Sequence, residues 1–389
     1  MTLLTKDFRI FKWNVSLIAI IWFLLAIIGS VLKIKLGYNY IGNYLVYENV
    51  FWHAIHQTNL YYVDPAANLG SYLYGPIFSI IIAPFALFPI NIGSFLWSIF
   101  NAGFLFLAIR KLPLSYKKQN IILWISLVEM MTSIQNMQIN CFIAGLIIFS
   151  FVYVQKEKDF WATLFIAIGF LIKLYGIVGI AFFFFSRHKL NFILSFISWL
   201  IILFCLPMLI SSPSFIMHSY AEWYHTLIAK DKSNTFSEMQ NISVMGMLRH
   251  IFNTGYLNLV IIVSAAIVYV LPFFRISQFK NIGFRLSYLA LALIGVVIFS
   301  SSAESPTYII AVAGVGIWYI LQNQKDWSVI LLLIFSLLLT SFSSTDLFPR
   351  FLRLNLIEPF SLKALPCFLV WLVLAFQLLI KDFKVVKIP

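Results

Sequence analysis

The chain has 389 residues, 61% of them hydrophobic and only 11% charged, with a mean hydropathy of +0.93. Soluble domains carry about 25% charged residues, so this composition excludes a water-soluble globular protein and points to an all-α polytopic membrane protein. The formal charge of +13 does not mark a nucleic-acid binder, because no basic domain stands apart from the apolar runs and cations flanking membrane spans account for it.

Twelve apolar runs follow one another: 12–32, 77–110, 121–134, 141–155, 160–172, 174–186, 190–210, 258–274, 286–300, 308–322, 327–341 and 367–380. Each is a candidate transmembrane helix, since roughly 20 apolar residues span about 30 Å of hydrocarbon. The period-two alternation of a β-barrel is absent. The first run, from Ser16 to Leu32, is too long for a signal-peptide core and lacks a small-residue cleavage site, so it is expected to persist as the first helix. The second is read as one broken helix, with Pro84 and Pro89 marking a kink or a partly re-entrant start. Several runs are shorter than an ideal span and must borrow length from their polar flanks or thin the bilayer. Cys141, Cys205 and Cys367 lie in or beside apolar runs without CxxC spacing and read as small hydrophobes. With no internal repeat or linker, residues 1–389 read as a single domain.

The gaps between runs alternate in character. One set holds Arg110, Lys111, Lys117 and Lys118; Lys156 and Lys158; Arg187 and Lys189; Arg275, Lys280 and Arg285; and Lys325. Together with Lys6, Arg9 and Lys12 at one end and Lys381, Lys384 and Lys387 at the other, eighteen of the 27 basic residues fall on one side. The positive-inside rule makes that side cytoplasmic, both termini included, in a multi-pass plasma-membrane protein.

The opposite set carries carboxylates, amides, histidines and tyrosines. In the first outer loop, Tyr47, Val50, Phe51 and Ala54 share one face of an expected amphipathic interfacial helix. Asn43, Glu48, Asn49, His53 and His56 lie on its other side, followed by Tyr61 and Tyr74-Gly75-Pro76. His53 and His56, at i and i+3, would suit a metal, but no third ligand is evident and no metal site is expected. A short gap, Gln135-Asn136-Met137-Gln138-Ile139-Asn140, sets four amides between two helices. Amides at that depth line either a helix contact or a cavity for a polyhydroxylated ligand, to whose hydroxyls they offer both donors and acceptors. Lys173, followed by Tyr175, interrupts an apolar run. An ionisable group there costs roughly 2.5–3.5 kcal/mol on insertion scales, so it either serves function or snorkels to the surface. Further on, His218–His225 reads as a surface helix, followed by Asp231 and a Ser/Asn-rich turn. Then come Ser243 and Arg249, the latter a second candidate phosphate ligand because its planar fork suits bidentate contact. Glu304, beside Pro306 at the mouth of two helices, could accept a proton from an attacking hydroxyl or simply cap a helix. P-loop, dinucleotide-binding, HExxH and nucleophile-elbow motifs are all missing, so no cofactor is expected and any chemistry draws on something already in the membrane.

In chain order, Asn43–Tyr47, Asn59-Leu60-Tyr61, Tyr74-Gly75-Pro76 with Ala83-Pro84-Phe85, Leu96-Trp97 to Asn101, Gln138-Ile-Asn140, Ile172-Lys173-Leu-Tyr175, Ser243-Val-Met-Gly246 and Glu304-Ser305-Pro306-Thr-Tyr308 resemble glycosyltransferase family 87 over roughly residues 40 to 315. The resemblance implies a GT-C type fold and a polyprenyl-phosphate-linked sugar donor, typically polyprenyl phosphomannose. It also implies transfer, with inversion, to a lipid or glycan acceptor on the non-cytoplasmic face. Family members commonly carry an Asp, taken as the general base, where this chain has Asn43. The base is then sought among Glu304, Asp231 and Glu48, in that order. Asn43, Tyr47, His53, Tyr61, Tyr74, Gln138, Asn140, Lys173, Tyr175, Ser243 and Arg249 are the expected substrate-binding residues. A transporter of lipid-linked sugar is the competing reading, although internal repeats are missing; a polysaccharide ligase or polymerase is a third, for which more arginine would be expected in the long outer loop.

Overall fold

In a computed structural model, residues 7–10, 13–62, 70–234, 237, 239–253 and 258–383 are described. Lys6, Lys12, Lys384 and Lys387, counted above among the flanking cations, lie outside the described residues. The described chain is almost wholly helical. A short antiparallel hairpin, β1 (Asp7–Ile10) with β2 (Trp13–Ser16), precedes α1 (Leu17–Leu36). Helices follow as α2 (Gly42–His56), α3 (Phe78–Ala86), α4 (Ile90–Arg110), α5 (Tyr116–Gln135), α6 (Asn140–Gln155) and α7 (Asp159–Lys173). A 3₁₀ stretch over Tyr175–Phe185 leads to α8 (Lys189–Cys205), α9 (Pro213–Asn234), α10 (Val244–Phe252) and α11 (Asn258–Val270). The last are α12 (Ile282–Ile298), α13 (Tyr308–Ile320), α14 (Trp327–Phe335), the single turn α15 (Arg350–Leu352) and α16 (Ala364–Ile380).

Among the described residues, four helical stretches are long and apolar enough to cross a membrane: Leu17–Leu36, Ile90–Arg110, Lys189–Leu209 and Trp327–Ser344. At 1.5 Å per residue, about 20 residues match the hydrocarbon thickness. Of the remaining apolar runs, 121–134 lies in the 20-residue α5, which is less apolar, and the others form shorter helices. Tyr175–Phe185 gains reach by its geometry, because 3₁₀ turns rise about 2.0 Å per residue and carry these 11 residues over roughly 22 Å. Exposed side chains confirm the solvent these helices need. Leu190, Ile193, Leu194, Ile197 and Ile201 of α8, and Leu259, Val260, Ile262, Val263 and Ile267 of α11, lie on the surface. Apolar faces of that extent suit lipid chains and would drive aggregation in water.

The second apolar run departs from the expected broken helix. It forms two helices, joined by a turn at Leu87, Phe88 and Pro89, which starts α4. The nine residues of α3 reach only about 13 Å, too short to span. The Phe85 carbonyl at its end accepts the Phe88 N–H at 3.2 Å and the Tyr44 hydroxyl at 3.0 Å.

The chain divides into two compact units. One comprises residues 21–111 and 133–232. There α6 packs between α4 and α7, and α2 packs on α3. As expected, α2 buries Tyr44, Tyr47, Val50, Phe51 and Ala54 along one face. The other unit comprises residues 1–20, 112–132 and 233–389. Its centre is α12 against α13 and α16. Ala290, Ala292, Ala311, Ala313 and Gly314 are buried there, small residues that bring helix backbones close where lipid supplies no hydrophobic drive.

Candidate functional site

In the unit built from residues 21–111 and 133–232, six residues singled out from the sequence meet in one network. The Tyr47 and Tyr74 hydroxyls lie 3.2 Å apart. Tyr74 Oη donates to Gln138 Oε1 across a long 3.5 Å, and Asn140 Nδ2 donates to the same oxygen at 3.3 Å. Asn140 Oδ1 in turn accepts Lys173 Nζ at 2.9 Å, and that ammonium sits 4.7 Å from the centre of the Tyr175 ring. The line from Tyr47 to Tyr175 therefore runs aromatic, amide, cation, aromatic.

Local structure explains the gathering. Asn140 opens α6 and Lys173 closes α7, so both polar side chains stand at helix ends. From α4, Trp97 Nε1 donates to the Met137 carbonyl at 3.2 Å, and Asn101 Oδ1 accepts the Phe142 N–H at 3.3 Å, which fixes the amide gap. The Gly75 N–H donates to the Ile172 carbonyl at 3.0 Å, satisfying an orphan acceptor in the last turn of α7. Only glycine allows this approach, because a Cβ at Gly75 would overlap the Leu171 carbonyl oxygen. The Tyr74-Gly75-Pro76 and Lys173–Tyr175 motifs, nearly a hundred residues apart in sequence, thus become neighbours. Tyr61 Oη donates to the Tyr74 carbonyl at 3.0 Å, and burial holds its phenol well above the ordinary tyrosine range, so it stays a donor.

The other candidates of this unit occupy different positions. Asn43 Nδ2 donates to the Asn136 carbonyl at 2.8 Å, tying α2 to the amide gap. Glu48 is half-buried on the flank of α2, and burial raises its carboxyl above the usual range. His53 is also half-buried; burial lowers its pKa despite an opposing hydrogen bond at Asn59, and the nearby His56 lowers it further. His56 Nδ1 bonds the Trp52 carbonyl at 2.9 Å. Among the described residues no group of three His, Cys, Asp or Glu side chains could hold a metal ion. Asp231 is exposed and lies inside α9, which continues to Asn234 where the sequence suggested a turn.

In the second unit, Ser243 caps α10. Its Oγ accepts the Gly246 N–H at 3.1 Å and donates to Asn241 Oδ1 at 2.7 Å. A Cβ at Gly246 would overlap the Asn241 carbonyl, so the tight start of α10 needs glycine. The preceding Ile242 N–H donates to the Ala303 carbonyl at 2.8 Å, while the Ile242 carbonyl accepts Tyr308 Oη at 2.7 Å. These bonds bring the Ser243–Gly246 motif against the Glu304–Tyr308 motif. Arg249 is buried and donates from Nη2 to Asn258 Oδ1 at 2.7 Å. Glu304 is half-buried and opens the 3₁₀ turn Ser305–Thr307 ahead of α13. Its N–H donates to Thr307 Oγ1 at 3.3 Å, and its carbonyl accepts the Thr307 N–H at 3.0 Å, so its backbone does cap the turn.

Two charged residues were missed from the sequence. Lys363 Nζ lies 2.8 Å from Glu129 Oε1, with both side chains almost wholly buried. A lone carboxylate inside the run 121–134 was a readable signal for Glu129, since an ionisable group within a span needs a partner. Lys363 carried no such signal, because it sits in the long polar gap 342–366.

Apolar helices with lipid-suited faces, carrying amide, hydroxyl and cationic groups at their ends, define a polytopic α-helical membrane protein. The sequence model of glycosyltransferase family 87 matches residues 72–301, and the chain belongs to that family. It is therefore a membrane glycosyltransferase. Comparison with curated proteins returns no match. The matched segment holds Tyr74, Gln138, Asn140, Lys173, Tyr175, Asp231, Ser243 and Arg249; Asn43, Tyr47, Glu48, His53 and Tyr61 precede it, and Glu304 follows it.

Proposed function

We propose that the protein transfers a hexose, mannose first among them, from a polyprenyl-phosphate donor to a lipid or glycan acceptor on the non-cytoplasmic face of the plasma membrane. The reading includes twelve crossings with both termini cytoplasmic, for which the distribution of Lys and Arg is the support. The observation that carries it is the Tyr47–Tyr74–Gln138–Asn140–Lys173–Tyr175 network. Amides and phenols suit sugar hydroxyls, and a cation at a helix end suits a phosphate that stays in the headgroup layer. Lys173 is favoured over Arg249 for that phosphate, because the Arg249 side chain is buried and bonded to Asn258.

In this mechanism the acceptor hydroxyl oxygen bonds to the anomeric carbon from the face opposite the phosphate. The carbon–oxygen bond to phosphate breaks, and the polyprenyl phosphate leaves with the electron pair. Lys173 stabilises the charge gathering on it. Glu304 takes the hydroxyl proton, ahead of Asp231 and Glu48. Asn43, which cannot accept a proton at neutral pH, keeps a hydrogen-bonding role.

The test uses purified full-length protein in lipid vesicles with radiolabelled polyprenyl phosphomannose and a membrane-lipid extract as acceptor. Transfer of label with inverted anomeric configuration supports the proposal. Movement of intact donor across the bilayer without transfer would establish the transporter reading instead. Glu304→Gln should abolish turnover while donor binding stays nearly intact; full activity in that variant would reject Glu304 as the base.

A further inference from the structure

One heavily bonded buried charge is absent from that mechanism. Lys363, just before α16, is 3% exposed. Its ammonium has three protons, and each finds an acceptor: Glu129 Oε1 at 2.8 Å, Ser305 Oγ at 2.7 Å and Ser344 Oγ at 2.9 Å. The two serine hydroxyls are themselves 2.8 Å apart, and the Tyr308 ring centre lies 5.1 Å from the nitrogen. The Lys363 carbonyl accepts Thr340 Oγ1 at 3.0 Å, from a π-helical stretch, Ser336–Ser341, that continues α14. Helix α5, the turn before α13, the end of the α14 segment and the start of α16 therefore all converge on one ammonium group.

Stability alone explains this cluster poorly. Well-packed apolar residues often replace a buried ion pair at no cost, and here Glu129 Oε2 is buried with no hydrogen-bond partner, which carries a further penalty. What the cluster does hold is Ser305, the residue next to Glu304. Pro306 fixes the backbone on the far side of Ser305, and the Thr307 hydroxyl holds the Glu304 N–H. The Glu304 backbone is thereby restrained at its own N–H and through Ser305.

We propose that Lys363, held by Glu129, is a positioning residue that orients the Glu304 carboxylate through Ser305 and Ser344. The inference rests on the reading of Glu304 as proton acceptor. Displacing a reacting group by about 1 Å can cost ~10²-fold in rate, so a turn released from its ammonium should slow the chemical step without weakening donor binding.

The experiment compares the unaltered protein with Glu129→Leu/Lys363→Met, which removes both charges together and so strands neither, and with Ser305→Ala, which leaves the ion pair in place. Each is assayed for kcat, donor KM and melting temperature, and for donor binding when combined with Glu304→Gln. The expected result is an unchanged melting temperature and donor KM, with kcat down ~10²-fold in the double variant and down by a smaller factor in Ser305→Ala. In the Glu304→Gln background donor binding should stay where Glu304→Gln alone leaves it, since the changes act on the chemical step. Wild-type kcat in a folded double variant, or in Ser305→Ala should the double variant fail to fold, overturns the inference. So does donor binding weakened beyond that of Glu304→Gln alone. If Glu304→Gln alone keeps full turnover, the base assignment fails instead, which is a distinct outcome.

Discussion

Replacing Lys173 by Met separates what this side chain does for the fold from what it does for the reaction. The substitution keeps an unbranched apolar stem of similar length and removes the ammonium. In the folded protein, Asn140 Oδ1 loses the 2.9 Å charge-assisted bond it accepts, which costs about 1–3 kcal/mol if the oxygen stays dry. Against that stands the insertion cost of a lysine, roughly 2.5–3.5 kcal/mol at the middle of a span and less at the end of α7. The two nearly offset, so Lys173→Met should melt close to the unaltered protein. Its effect on transfer should be large. A donor aimed at developing negative charge contributes about 2.7–4 kcal/mol to the transition state, so kcat should fall ~10²–10³-fold. Label transfer from polyprenyl phosphomannose gives kcat and KM, and thermal unfolding in the same detergent gives stability. A folded Lys173→Met protein with kcat within about threefold of wild type would refute the role, because a phosphate ligand worth more than 2 kcal/mol cannot vanish without a larger change.

Two further outcomes follow from neighbouring geometry. Gly75→Ala sets a Cβ into the Leu171 carbonyl and against the Trp223 ring, so the loop must lift from α7; we expect about 1–3 kcal/mol lost in thermal or denaturant unfolding, with reduced turnover, and an unchanged melting point would contradict the close docking. The folded protein favours neutral His53, whereas the unfolded chain takes up a proton near the ordinary value of 6.5. The stability this lends is complete above 6.5 and is lost as pH falls through the lower folded value. Melting curves between about pH 7.5 and pH 5 should therefore decline more steeply for the unaltered protein than for His53→Gln, and identical slopes would count against a desolvated His53.

Much of the first network was readable in advance. Gln138, Asn140 and Lys173 announced themselves as polar groups amid apolar runs, where an unpartnered donor or charge is too costly to lack a reason. Tyr47 was legible from the spacing of α2, whose buried face follows helical periodicity. Other features were not. The proline pair at 84 and 89 signalled a break, but whether the chain kinks or turns back depends on what donates to the carbonyls there; at Phe85 the donors are the Phe88 N–H and the hydroxyl of Tyr44, some forty residues earlier.

By itself, the sequence determined the membrane class, the helical runs and the family, because hydropathy, periodicity and short ordered motifs are properties of neighbouring residues. Tertiary structure alone decided that Gly75 docks on the end of α7, that Ile242 beside Ser243 bonds Ala303 beside Glu304, and that Lys363 meets a carboxylate 234 positions away. Such pairings depend on which helix ends the packed chain brings together, and nothing local in the chain encodes the meeting of residues so far apart.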